Sequence, residues 1–114
     1  SLSICTNKQE ALSKDLIKKL NLSKYFDFIA GSDTFDFNKP DPRHLTNVIE
    51  IVGGEKTKSI MIGDSEVDAE ASYNAQLPFV LVEDGYTEKN INEIRHDFKI
   101  KNFHFLKEIV EKLI

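Results

Sequence analysis

A hydroxyl at Thr6, an ammonium at Lys39 and carboxylates at Asp64 and Asp68 are the groups in this 114-residue sequence whose types suit one shared chemistry. Phosphoryl transfer asks little of a protein beyond positioning and the neutralisation of charge on the phosphate oxygens. Thr6 can donate its hydroxyl to such an oxygen. Lys39 supplies a compact cation that can hold a phosphate and a neighbouring carboxylate together. Asp64 is a hard oxygen ligand of the kind Mg2+ takes, with waters and phosphate completing its octahedron. Taken singly, each residue also has a plain structural reading. A strand-end threonine can be a helix cap, Lys39 can be a surface lysine, and Ser65 with Asp68 forms a capping box. Cys5 reads as a small buried strand residue, since no histidine can be placed beside it as a base. His44, His96 and His104 show no ligand spacing and read as surface or boundary residues.

The elements around these residues decide whether they meet. Leu2 and Ile4 alternate with serines in a strand over Ser1 to Thr6, and Leu12, Leu16 and Leu20 recur at fourfold spacing in a helix over Lys8 to Leu20. Asn7 and Glu10 form a capping pair that starts this helix just after Thr6. A second strand is expected at Phe26 to Ala30, followed by the loop Gly31 to Asp41 that carries Lys39 and Pro40. Asp41 and Pro42 read as N-cap and first residue of a helix whose apolar face is Leu45, Val48, Ile49 and Val52, ended by Gly53 and Gly54. Ile60 to Ile62 is a continuous apolar run, as a strand covered on both faces requires. A helix from Glu66 to Asn74, a strand from Phe79 to Val82 and a turn at Gly85 and Tyr86 follow. Phe98 and Ile100 then alternate with lysines as in an edge strand, and Leu106, Ile109, Val110 and Leu113 form the stripe of a last helix. Strands alternating with helices predict an α/β, Rossmann-like three-layer core with a mainly parallel sheet, a single domain over 1–114. In such a sheet ligands bind at the carboxyl ends of the strands, where Thr6, Lys39 and Asp64 all fall.

The charge balance, 15 Lys and Arg against 19 Asp and Glu, contains no basic block and argues against a nucleic-acid surface. No apolar run is long enough to span a bilayer, no signal peptide opens the chain, and a single cysteine fits a reducing compartment, so the expectation is a cytoplasmic protein. The first residue lies directly inside a strand pattern with no lead-in and no methionine, which predicts a truncated chain.

The order of these groups resembles the haloacid dehalogenase (HAD) superfamily, and within it the phosphoglycolate phosphatase-like members. Leu2 to Lys8 is similar to the second motif, an apolar strand ending in Thr-Asn-Lys. Lys39-Pro40-Asp41-Pro42 matches the third-motif form K-P-x-P, and Ile60 to Asp68 matches a fourth motif of an apolar strand followed by G-D-S-x-x-D. The resemblance implies that Thr6 and Asn7 contact the transferring phosphate of a small phosphorylated metabolite, and that Lys39 holds it and the nucleophile. It also implies that Asp64 ligates Mg2+, with Asp68 supporting the metal directly or through water. Two features depart from the pattern. The first motif, D-x-D-G-T, which supplies the nucleophilic aspartate and an acid/base aspartate, does not occur in these residues, and Asn74-Ala75-Gln76 ends a helix where relatives commonly place glycine. The family's cap would also lie upstream of Ser1.

The expectation is therefore the C-terminal half of a Mg2+-dependent phosphomonoester hydrolase acting through an aspartyl-phosphate, inactive alone because the covalent route needs the missing carboxylate. A phosphomutase of the same superfamily and a non-catalytic binding or assembly module are the alternatives. A receiver domain shares these residue types but places its acidic residues first, and this chain does not. In the resembled family the first-motif strand lies centrally, between the strands ending at Thr6 and Gly63. Without it both become edges, which predicts direct closure of the gap, pairing with the missing N-terminal half, or self-association, the last favoured together with partial unfolding over a stable monomer.

Overall fold

The computed structural model describes residues 1–83 and 93–113, so the expected turn at Gly85 and Tyr86 lies outside the described residues. Among the described residues, five short strands alternate with four α-helices. In chain order they are β1 (Ser3–Cys5), α1 (Glu10–Lys19), β2 (Phe28–Ala30), α2 (Arg43–Ile51), β3 (Met61–Gly63), α3 (Glu66–Ala75), β4 (Phe79–Val82), β5 (Phe98–Ile100) and α4 (Leu106–Leu113). Every strand pairing is parallel. The strands form two groups, β1-β2 and β3-β4-β5, with no ladder between β1 and β3. The α/β class and the parallel sheet are as the sequence predicts. The gap between β1 and β3 has not closed by direct pairing.

Period two along the strands explains the layers. Met61, Phe79 and Leu81 turn toward α3 and pack with Ala69 and Ile94, while Met61 and Cys5 also reach the cluster formed by Leu45, Ala71, Ala75 and Leu77. The alternate residues Ile60, Ile62, Val80, Val82, Phe98 and Ile100 turn to the other face and meet Leu106 and Ile109 of α4. β4 has a partner on each side and a helix layer on each face, and all four of its residues are buried.

The details of α1 and of the end of α3 add to this picture. The stripe Leu12, Leu16 and Leu20 does lie on a helix, but these residues are 63%, 51% and 56% exposed, and the residue that α1 buries is Ser13. Fourfold spacing marks a helix face without saying which side has a partner. Helix α1 also starts two residues later than Lys8, with Gln9 as its cap residue and no side-chain cap of its own. Its Glu10 N–H instead donates to Asp33 Oδ1 at 2.8 Å, from the loop after β2. Close packing forces this arrangement, because a Cβ on Gly31 would lie 2.6 Å from Glu10 Cα, so the end of β2 touches the start of α1. Finally, Gln76 ends α3 in the left-handed region at φ 60°, a conformation that favours glycine.

Candidate active site

The carboxyl ends of β1 and β3 and the loop before α2 converge at one rim. Thr6 follows β1 and donates its N–H to Ala30 O at 2.9 Å, which continues the β1-β2 ladder to the rim. Its hydroxyl oxygen accepts from Lys8 N at 3.1 Å, which leaves the hydroxyl hydrogen able to donate. Asn7 does not cap α1. Its carboxamide clamps the Lys39 backbone, with Nδ2 donating to Lys39 O at 2.9 Å and Oδ1 accepting from Lys39 N at 3.1 Å. The loop that delivers Lys39 is thereby tied to the end of β1.

From that anchor the Lys39 side chain runs inward to form an ion pair with Asp68 Oδ1, and the two side chains are only 9% and 10% exposed. The other oxygen of Asp68 accepts from Asp64 N at 3.3 Å. Asp68 is therefore more than a cap residue, although its own N–H does donate to Ser65 Oγ at 3.3 Å as a capping box requires. Gly63 makes room for this carboxylate, since a Cβ there would stand 2.6 Å from Asp68 Cβ. The Asp64 side chain is half-buried at the end of β3. The sequence reading thus locates a cluster: Lys39, Asp68 and Asp64 are linked directly, and Asn7 joins Thr6 to Lys39.

Cys5 lies close enough to feel Lys39 and Asp68, but burial pushes its thiol up to about 11. At neutral pH it is a protonated thiol and no nucleophile. Nearby, Arg43 hydrogen-bonds to the Asp41 carboxyl and holds it down at about 2, while the guanidinium lies over the Phe37 ring at 4.3 Å.

His44 is corrected from a surface or boundary residue to a fully buried one. Its Nε2 lies 3.2 Å from Gly31 O, so the ring donates there and Nδ1 carries the lone pair. The ring also meets Phe35 edge-on at 5.7 Å. His44 therefore fastens the first turn of α2 to the end of β2 across the loop that bears Lys39. Spacing held the signal, because His44 precedes Val48 by four residues and so continues the buried face of α2 one turn back. Burial lowers its pKa below the ordinary value of 6.5, helped by repulsion from Lys39, while the bond to Gly31 acts in the opposite direction. Between that lowered value and 6.5 the unfolded chain binds more protons, so stability is full above about pH 6.5 and falls as pH drops through the folded-state value. Urea denaturation at pH 7.5 and 5.5 is expected to show this loss, and His44→Asn to reduce it; equal pH dependence in both proteins would count against the assignment.

Among the described residues, no three His, Cys, Asp or Glu side chains are grouped to hold a metal. The oxygen donors at the rim nevertheless suit Mg2+, which is usually held by one or two carboxylates plus substrate phosphate. Both oxygens of Asp68 are engaged, one by Lys39 and one by Asp64 N–H, and Asp64 and Asp68 are the carboxylates at this rim that could hold such an ion.

Residues 1–82 match the family model described as haloacid dehalogenase-like hydrolase. The phosphoglycolate phosphatase of Mesorhizobium japonicum is 46% identical over 114 residues, covering 99% of this chain and 50% of that protein. The phosphoglycolate phosphatase of Agrobacterium fabrum is 44% identical, over 100% of this chain and 49% of that protein. The chain thus spans about half the length of the curated relatives it matches. A crystal structure described as a predicted phosphoglycolate phosphatase from Haemophilus somnus superposes with a TM-score of 0.89 at 21% identity, covering 95% of this chain and 48% of that one. A HAD-superfamily hydrolase from Geobacter sulfurreducens gives a TM-score of 0.82 at 22% identity, covering 96% and 52%; at these identities the likeness is one of fold. With three motifs in order, their side chains gathered at one rim and a family match over most of its length, the chain belongs to the haloacid dehalogenase-like hydrolases.

Proposed function

We propose that this chain is the phosphate-gripping and metal-supporting half of a Mg2+-dependent phosphomonoester hydrolase of the phosphoglycolate phosphatase type, working in the cytoplasm. The observation that carries the reading is the buried Lys39–Asp68 pair with Asp64 and Thr6 at the same rim. A lysine this enclosed, with its backbone clamped by Asn7, is held where a phosphate entering over β1 and β3 would meet it. Thr6 donates its hydroxyl to a second phosphate oxygen, and Asn7 fixes the loop so that Lys39 keeps its place. Asp64 is the metal ligand, and Asp68 orients both Lys39 and the backbone of Asp64. Bound Mg2+ would supply neutralisation of the phosphate charge.

What these residues do not provide is a carboxylate free of other duty to attack phosphorus, since Asp68 is committed to Lys39 and Asp64 is taken as the ligand. The covalent route through an aspartyl-phosphate therefore needs a group from outside the chain. The chain alone is expected to hydrolyse p-nitrophenyl phosphate and phosphoglycolate no faster than background in Mg2+. NMR titration with inorganic phosphate and Mg2+ should move the amides of Thr6, Lys39 and Gly63 to Asp68. Turnover that Asp64→Asn abolishes would overturn the claim of inactivity. Shifts confined to other parts of the chain would overturn the assignment of the rim.

A further inference from the structure

Helix α3 begins at the phosphate rim and ends at a second group of polar side chains. Asp68 stands in its first turn, whereas Tyr73 lies in its last turn and Gln76 is its C-cap, beside Pro78 and Phe79 at the amino end of β4. A cavity of about 340 Å³ opens there, lined by Tyr73 and Gln76 from the helix end and by Arg95 and Asp97 from the segment before β5. Its apolar lining is Ala69, Leu77 and Phe79. Ala69 and Phe79 belong to the cluster that holds Leu81 and Ile94, and Leu77 packs with Ala71 and Ala75, so this floor is part of the core.

The two charges at the cavity are fixed in place without a partner of opposite sign. The Arg95 guanidinium lies over the Tyr73 ring, 3.8 Å from its centroid, a contact that holds the group but supplies no acceptor oxygen. Asp97 is tied to the neighbouring strand, with Oδ2 accepting from Phe79 N at 2.8 Å and its own N–H donating to Phe79 O at 3.0 Å. Among the described residues, neither Arg95 nor Asp97 makes an ion pair, with the other or with any third residue. Lys56 donates to Gln76 Oε1 at 3.2 Å, so the nitrogen of the Gln76 carboxamide is left to donate. The cavity thus offers donors from Arg95 and Gln76, an acceptor from Asp97, and an apolar floor.

We infer that this cavity is a binding site for a small zwitterion, an α-amino acid with an aliphatic side chain, whose carboxylate meets Arg95 and Gln76 and whose ammonium meets Asp97. The pattern of signs selects this class. An anion drawn to Arg95 is opposed by the Asp97 carboxylate and a cation drawn to Asp97 is opposed by Arg95, whereas a molecule carrying both charges meets an attractive partner at each. An uncharged apolar molecule would suit the floor but take water from both charged groups without replacing it, which is costly. Guanidinium geometry matches a carboxylate bidentately, which fixes the orientation of the ligand. Size acts in the same direction, because a cavity of about 340 Å³ lies near the lower end of small-molecule sites. The site does not depend on the proposed function, since it lies at the amino ends of the strands and shares no residue with the rim.

The test is an amide NMR titration of the chain with L-leucine, with isocaproate, which is leucine without its ammonium, and with isoamylamine, which is leucine without its carboxylate. Leucine is expected to shift the amides of Tyr73, Gln76, Leu77 and Asp97, and each single-charge analogue to bind at least about tenfold more weakly. Asp97→Asn keeps an acceptor for Phe79 N–H and removes the charge, and Arg95→Met keeps a side chain over Tyr73 and removes the guanidinium. Each is expected to weaken leucine binding by at least about tenfold while leaving the response of the rim to phosphate unchanged. Isoamylamine binding as tightly as leucine would leave Arg95 without a role and overturn the inference, and equal binding of isocaproate would do the same for Asp97. Leucine shifts that are absent, or confined to other parts of the chain, would also overturn it. The analogue series is measured on the unaltered chain, so it decides the outcome even where a variant does not fold.

Discussion

Asp68→Ala is expected to destabilise the chain by about 3–5 kcal/mol, because it leaves the enclosed Lys39 ammonium without its counter-charge. For a domain whose total stability is about 5–15 kcal/mol, that is a large share, and a urea melt should show it as a marked fall in midpoint. Lys39→Met should cost a similar amount by stranding the Asp68 carboxylate, whose other oxygen receives only Asp64 N–H. The informative protein is the double variant Lys39→Met/Asp68→Asn, which removes both charges and keeps both shapes. It is expected to be more stable than either Lys39→Met or Asp68→Ala, since replacing a buried ion pair with neutral groups of similar volume is often close to neutral. Losses that simply add would show that the two side chains do not act as a unit.

Leu81→Ala is expected to cost about 2–5 kcal/mol, whereas Ile62→Ala one strand away should cost no more than about 1 kcal/mol in the free chain. Both residues sit in short parallel strands. Leu81 is fully buried with a ladder on each side, while Ile62 borders the gap between β1 and β3 and is only half-buried. Thermal melts followed by circular dichroism would rank them. An Ile62→Ala loss as large as that of Leu81→Ala would mean that the β1–β3 gap is closed in solution.

The site was legible in the sequence because its residues lie next to punctuation. Thr6 ends an alternating strand, Lys39 precedes Pro40 in a polar loop, and Gly63-Asp64 ends an apolar run, so a parallel sheet must bring them to one rim. Asn7 was misread because capping logic considers only the neighbouring turn, whereas its true partner lies 32 residues away and became available only when the loop folded back. His44 hid behind its polarity, although its place one turn before Val48 marked it as buried. The exposed leucines of α1 show what spacing leaves open: it described the helix face correctly, but whether a face is covered depends on what packs beside it, and periodicity within one helix does not contain that.

The division of the sheet also bears on how the chain unfolds. β1, α1 and β2 form one ladder unit, and β3, α3, β4 and β5 form another. Besides α2, which touches β1 and β2 as well as α3, the units are linked through the loop before α2, which the Asn7 clamp ties to the end of β1 and the Lys39–Asp68 pair ties to α3. A continuous sheet spreads cooperativity through shared backbone hydrogen bonds, and here that coupling is interrupted. The two units are foldons in waiting, and the β1–β2 side, with its exposed leucines and single ladder, is the one to open first. Opening of that unit would carry Thr6 and Asn7 away from Asp64 and Asp68, so the rim would come apart before the rest of the fold does.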